Sequence, residues 1–230
     1  MTEDIYRTGA YLEKNPTLHT GESPWKVAHI AAMLRRHDLA PRSVCDAGCG
    51  AGLILQLLEP HLPPDAILHG YDISPQAVER CRVHETARRR YFCQDLLAAG
   101  TEPYDLLLAI DVFEHVPDYL GFLHRLRAKA ALKIFHIPLE LCAMSAVSRR
   151  WLPESREQAG HLHYFNRETA LAALRDTGYE IVDWFYTPAY ELCRRERGRR
   201  DRLLRLLFRF ASADLTARVL GGYSLLVLAR

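Results

Sequence analysis

The sequence predicts an α/β protein built on one mostly parallel sheet, and three observations carry that prediction. Short β-like runs alternate with helical stretches along almost the whole chain, the pattern of a parallel sheet closed by crossover helices. The run YDLLLAID at 104–111 is nearly continuous in apolar residues, as suits a central strand buried on both faces. A glycine-rich stretch, VCDAGCGAG at 44–52, ends the first such run and opens the next helical one.

Each element has its own signal. SPWKVAHIAAMLRRH (23–37) reads as a helix with Ser23 as cap, Pro24 in the first turn and an apolar stripe at Val27, Ile30, Ala31 and Leu34. SVCDA is the first strand, and LILQLLEP the helix that Pro60 brings to an end. AILHGYD is the second strand, and SPQAVERCRVHETARR (74–89) a helix that again opens on Ser-Pro. RYFCQD and YDLLLAID are the third and fourth strands, YLGFLHRLRAK a helix and ALKIFHIP the fifth strand. Asn166 caps RETALAALRDTG and Gly178 stops it. YEIVDWFYT and YSLLVLAR complete seven expected strands, which one domain accommodates.

The 230 residues are 49% hydrophobic and 25% charged with a formal net charge of +2, so any strongly basic surface has to be local. Six scattered cysteines without a C-x-x-C pair read as reduced thiols rather than a disulfide or zinc framework. The N-terminal segment MTEDIYRTGAYLEKNP lacks an apolar signal core, and no run approaches the ~20 apolar residues of a membrane span. The expectation is a soluble, cytoplasmic protein.

The glycine turn has three readings: a phosphate cradle, a close approach of a nucleoside to the backbone, or a tight corner alone. The dinucleotide fingerprint G-x-G-x-x-G is not met, because Gly48, Gly50 and Gly52 are followed by Leu53. Asp46 lies in the first strand, and Asp72 closes the second, twenty residues past Gly52. Asp95 and Asp111 fall at the ends of the third and fourth. Four acids at the carboxyl edge of consecutive strands, where open α/β sheets bind ligands, are more than caps and corners require.

From VCDAGCGAG through GYDIS, CQDLL, YDLLLAIDVFEHVPD and FHIP to the last strands, the chain resembles the class I S-adenosylmethionine-dependent methyltransferases. The resemblance implies a Rossmann-like three-layer sandwich with seven strands, the last antiparallel, and S-adenosylmethionine as cofactor. It implies that Asp46, Gly48, Cys49, Gly50 and Gly52 line the methionine part and ribose. Asp72 would bind the ribose hydroxyls with Ile73 against the adenine, Asp95 would accept from the adenine amino group with Leu96 beside it, and Ile110 and Asp111 would border the donor methyl. Residues 1–42 are expected to form a helical cap, and 43–230 the catalytic domain, with insertions at about 139–160 and 189–221.

Candidates for a base that takes a proton from the acceptor are His115, His161 and His163; the last two form an H-x-H pair without a third ligand of obvious spacing, so no metal site is expected. Tyr6 and Tyr11 are candidate lid contacts, and Tyr11, Trp151 and Tyr164, with Arg149 or Arg150, candidate acceptor contacts. Nine arginines fall between 194 and 218, with Arg195, Arg202, Arg205 and Arg209 on one side of a helical wheel beside Leu203, Leu206, Leu207 and Phe210. That stretch reads as a helix with a solvated basic face, or as a contact with an anionic acceptor, lipid or RNA. The leading expectation is methylation of a small-molecule acceptor, with no DNA partner, since no Asn-Pro-Pro-aromatic turn follows the fourth strand. RNA or protein methylation, cofactor binding without turnover and a nicotinamide-dependent oxidoreductase are the alternatives.

Overall fold

A computed structural model describes residues 2–192 and 212–230. Two short helices, α1 (Thr2–Arg7) and α2 (Ala10–Lys14), precede α3 (Ser23–Arg36). The sheet strands are β1 (Ser43–Ala47), β2 (Ile67–Asp72), β3 (Arg89–Cys93), β4 (Tyr104–Ile110), β5 (Ala130–Leu139), β6 (Ile181–Thr187) and β7 (Tyr223–Ala229). Between them run α4 (Leu53–Leu58), α5 (Pro75–Cys81), α6 (Tyr119–Leu126), α7 (Ala143–Val147), α8 (Trp151–Gln158), α9 (Arg167–Asp176) and α10 (Ala213–Leu220). No helix among the described residues is long and apolar enough to cross a membrane.

The sheet order is β3-β2-β1-β4-β5-β7-β6, with β7 antiparallel to both neighbours and the other pairs parallel. Order reverses between β1 and β4, so the glycine turn after β1 opens at the switch point where α/β sheets take ligands. Alternation along the strands sends side chains into two cores. Cys45, Leu107, Ala109, Phe135 and Ile137 meet Leu123 and Leu126 of α6 and Ala170 and Leu174 of α9. Val44, Leu68, Leu106, Leu108 and Ile134 meet Val27, Ile30 and Met33 of α3 and Leu55 and Leu58 of α4 on the other face. Helix α3 therefore completes a core layer, while α1 and α2 lie outside it.

The helix expected over 74–89 is only half as long. It ends at Cys81, runs through one tight turn at Arg82–His84, and yields to β3 at Arg89. The cause is local and tertiary together. The Thr86 hydroxyl accepts from the backbone of Arg88 and Arg89 at 3.2 and 3.0 Å, turning the chain. The buried Arg89 side chain then pairs with Glu59 and donates to the His84 carbonyl, which fixes the start of the edge strand.

The glycine turn is held by β2: the Gly48 and Cys49 amides both donate to the Tyr71 carbonyl, at 2.8 and 3.0 Å. Gly52 caps α4 at φ 79°, and a Cβ there would stand 2.7 Å from the Tyr91 ring, whose hydroxyl donates to the Gly52 carbonyl. Gly52→Ala therefore combines a collision with left-handed strain. It is expected to lose about 1–3 kcal/mol of stability in urea unfolding. An unchanged midpoint would mean that ring and turn relax together.

Candidate active site

A cleft of about 580 Å³ runs along the carboxyl edge of the sheet from the glycine turn to the segment after β5. Its first half is made by the turns after β1, β2 and β3. Gly48, Gly50, Asp72, Ile73, Asp95 and Leu96 line it. Gly50 sits at φ 53° with no atom within 4 Å of where a Cβ would be, so its backbone faces open space. The Asp72 carboxylate accepts from the Gly50 amide at 2.9 Å and the Ser74 amide at 2.8 Å, one on each oxygen. Each oxygen keeps a lone pair for the cleft. Burial pushes the Asp72 pKa up, and the Ser74, Gly50 and Ile73 amides partly offset it. Asp95 uses one oxygen to accept from the Leu97 amide at 2.8 Å.

Asp46, Cys49 and Gly52 stand behind this wall rather than in it. Asp46 is 1% exposed, and neither carboxylate oxygen has a hydrogen-bond partner. Burial first and the Asp72 charge second push its pKa up to about 8, against a small opposing pull from Lys26. The Cys49 thiol packs against Cys81 and fills the space beside Gly70.

Mid-cleft, Ile110 and Asp111 line the wall at the end of β4. Asp111 takes a left-handed φ of 54°. Its carboxylate is gripped by the Lys26 ammonium of α3 at 2.6 Å and by His136 Nδ1 of β5 at 2.5 Å. The second His136 nitrogen meets the Thr187 hydroxyl of β6 at 3.0 Å. Burial opposes the charge on Asp111, yet His136 and Lys26 together hold its pKa far below the usual carboxylate range. Glu22, one turn before Lys26, is its second carboxylate partner at 2.9 Å.

The second half of the cleft is aromatic: Trp25, Trp151 and Tyr223 line it together with Leu139, Leu192, His115 and His161. The segment before α3 covers it. Tyr6 and Tyr11 line the cleft with ring centroids 4.8 Å apart, 6.1 and 6.3 Å from His115. Asn15 donates to the Gln158 carbonyl of α8 at 3.0 Å, and Arg80 of α5 reaches back to the Pro16 carbonyl.

His115 and His161 meet at 4.8 Å between ring centroids. His115 Nδ1 donates to the Gly160 carbonyl at 3.2 Å, and burial pushes its pKa down to about 4. His161 Nδ1 donates to Glu140 at 2.6 Å; burial opposes its charge, but Glu140 and Glu114 hold its pKa above the ordinary value. His163 is not with them. It bonds the Val116 and Pro117 carbonyls at 3.0 and 3.2 Å and packs on Tyr119, outside the cleft. Tyr164 also lies outside, its hydroxyl donating to the Leu152 carbonyl and so supporting the helix that carries Trp151.

Trp25, Lys26, His136, Glu114 and Glu140 were not singled out in the sequence. One signal was present: Lys26 lies four and seven residues before Ile30 and Met33, on the apolar side of α3. A lysine there calls for a buried anion. The acceptor candidates Arg149 and Arg150 are exposed, Arg150 pairing with Glu154. The wheel residues Arg195, Arg202, Arg205 and Arg209 lie outside the described residues; Arg218 pairs with Asp214 and Glu168.

A family profile for the methyltransferase domain matches residues 25–183. The chain belongs to that family, in its class I, S-adenosylmethionine-dependent branch. The methyltransferase is 32% identical over 142 residues to a ubiquinone biosynthesis O-methyltransferase of Rhodopseudomonas palustris, an alignment that covers 56% of this chain and 53% of that one. The chain thus spans about half the length of this curated relative. Among solved structures, the N-methyltransferase NodS of Bradyrhizobium japonicum, in complex with S-adenosylhomocysteine, superposes with a TM-score of 0.58 at 20% identity, covering 96% of this chain and 97% of that one. A methyltransferase in complex with the Trm112 activator of Haloferax volcanii superposes with a TM-score of 0.65 at 15% identity, covering 100% and 96%. These likenesses establish the fold.

Two outcomes follow from the first half of the methyltransferase cleft. Asp72→Ala removes a charged acceptor, and S-adenosylhomocysteine affinity by calorimetry is expected to fall by about 1.5–3 kcal/mol. Undiminished affinity would remove Asp72 from the nucleoside site. Asp46 carries a raised pKa, so the folded chain holds a proton that the unfolded chain releases near pH 4. That stabilisation is complete below pH ~4 and lost as pH rises toward 8. Asp46→Asn is therefore expected to gain thermal stability over the wild type progressively from pH 4 to 8, and a constant difference would show that the acid does not titrate in that window.

Proposed function

We propose that the protein is an O-methyltransferase that methylates a hydroxyl of a small aromatic acceptor. The observation that carries this reading is the continuity of the cleft: the nucleoside half opens past Asp111 into a chamber walled by Trp25, Trp151 and Tyr223 that ends at His115 and His161. The name of the Rhodopseudomonas relative points the same way.

The residues fit the cofactor. Gly50 leaves room against the backbone, and the paired oxygens of Asp72 suit a ribose diol. Asp95, Ile73 and Leu96 line the cleft beyond Asp72, where the adenine would lie. When bound, S-adenosylmethionine supplies an electrophilic methyl group. The chain has to align the acceptor oxygen behind it and keep water away, a contribution worth ~7–11 kcal/mol in favourable cases. In this reading Trp25, Trp151 and Tyr223 hold the acceptor ring, and the segment before α3, with α1 and α2, rather than the whole of residues 1–42, acts as the cap, since α3 belongs to the core. Asp111 is committed to Lys26 and His136 and serves as a fixed negative wall rather than a base. A phenolic hydroxyl has a pKa near ~10 and gives up its proton at the His115–His161 end.

The test is product formation from labelled S-adenosylmethionine with dihydroxybenzenes, anilines and RNA offered in parallel. Transfer to the dihydroxybenzenes is expected. Trp151→Ala should raise the acceptor KM by about tenfold, the equivalent of ~1.4 kcal/mol of ring contact, with S-adenosylhomocysteine affinity preserved. Transfer confined to amines or RNA would end the reading.

A further inference from the structure

Glu114, His115 and His161 each offer one ligand atom, and these atoms all lie within 4.8 Å of one another. Glu114 is the least expected of the three. It is 0% exposed and neither oxygen has a hydrogen-bond partner, the nearest cationic candidate being His115 Nε2 at 4.0 Å. A carboxylate left in that state is costly, and its cost falls away if a cation sits against it.

The two imidazoles are oriented to suit such a cation. Each donates its Nδ1–H outward, His115 to the Gly160 carbonyl and His161 to Glu140, and Ser155 in turn donates to Glu140 at 2.7 Å. Acceptor partners on Nδ1 fix the tautomer and leave Nε2 of each ring as the nitrogen available to a cation, that of His115 standing 4.0 Å from Glu114. Metal-ligating histidines are held in this manner, by a carboxylate or a carbonyl on the far nitrogen. Charge is consistent with this: Glu140 is paired with His161 and Asp111 with Lys26 and His136, which leaves Glu114 as the carboxylate of this group without a hydrogen-bond partner among the described residues. His115 and His161 line the cleft, so the site has a path from solvent.

We propose that Glu114, His115 and His161 bind a divalent first-row cation, of the Zn²⁺ or Mn²⁺ kind, whose open positions face the acceptor chamber. Two imidazoles and one carboxylate suit that class of ion better than Mg²⁺ or Ca²⁺. Bonds of ~2.0–2.1 Å place ligand atoms about 3–3.4 Å apart, so the three side chains close in by small rotations. The role of the ion rests on the acceptor reading above. It holds the hydroxyl oxygen and lowers its pKa, so the O–H bond breaks with its electron pair left on oxygen and the proton passes to water. His161 is then a ligand rather than the base, and Glu140 a positioning residue behind it.

The experiment is calorimetric titration of the metal-free full chain with Zn²⁺ and with Mn²⁺, in the absence of acceptor and cofactor. One site per chain is expected. Glu114→Gln and His161→Asn should each weaken it a hundredfold or more, and Glu140→Gln about 10–100-fold. S-adenosylhomocysteine affinity, measured on the same samples, should stay within twofold and reports that each variant is folded. If Glu114→Gln does not fold, His161→Asn at the cleft wall decides alone. Absence of stoichiometric binding at submillimolar Zn²⁺ and Mn²⁺, or binding indifferent to these substitutions, overturns the proposal and returns proton removal to an imidazole. Either result leaves the hydroxyl-acceptor reading standing. Metal binding retained without any hydroxyl acceptor is the converse: the site stands and that reading falls.

Discussion

The carboxylate of Asp111 clamped between Lys26 and His136 is the contact on which the rest of the site depends. It joins α3, β4 and β5 at one point, and through Thr187 it reaches β6. Each partner comes from a different part of the chain, so the clamp closes only when the sheet is complete and α3 is docked. It holds Asp111 in a left-handed conformation that costs about 1–3 kcal/mol for a residue with a side chain. Charge-assisted hydrogen bonds to two cationic or donating groups offset that strain. The result is a rigid boundary between the half of the cleft formed by the glycine turn and the aromatic half.

Around that boundary the protein concentrates negative charge and disposes of it in distinct ways. Asp111 stays ionised because Lys26 and His136 compensate it. Asp72 rests on the amides of Gly50 and Ser74. Asp46 and Glu114 have no hydrogen-bond partner on either oxygen, and burial drives both pKa values up to about 8 against weaker pulls from Lys26 and His161. Four acids in and just behind the cleft wall thus fall into different protonation classes, set by their neighbours rather than by their chemistry.

Much of this was legible in the sequence because it is local. The strand runs, the Ser74–Pro75 start of α5, the Asn166 cap and the glycine turn are each encoded within a few residues, and each lies where the pattern placed it. The shortened α5 was not legible, since its end depends on Arg89 finding Glu59 thirty residues away. Nor was the grouping of histidines. The H-x-H spacing pairs His161 with His163, but on an extended segment alternate side chains need not share an environment once the chain bends. The backbone of Glu114 accepts from the Leu162 and His163 amides, which turns His161 toward His115 and leaves His163 on the far side. Lys26 and His136 are separated by more than a hundred positions, and only the folded sheet brings them to one carboxylate.

The ring of Tyr91 has a wider meaning than its contact with one turn. It occupies the space above Gly52 and also above Gly70, where a Cβ would stand 2.5 Å from it. One side chain on the edge strand thus fills the room that two glycines vacate, one in the cofactor turn and one in the strand beside it. Positions 52, 70 and 91 are sterically coupled: a side chain gained at either glycine meets the ring at 91, and at 70 the Cys49 thiol as well, while a smaller residue at 91 opens a void beneath the turn. A redesign of the glycine turn therefore has to reckon with a side chain on β3 that does not itself line the cleft.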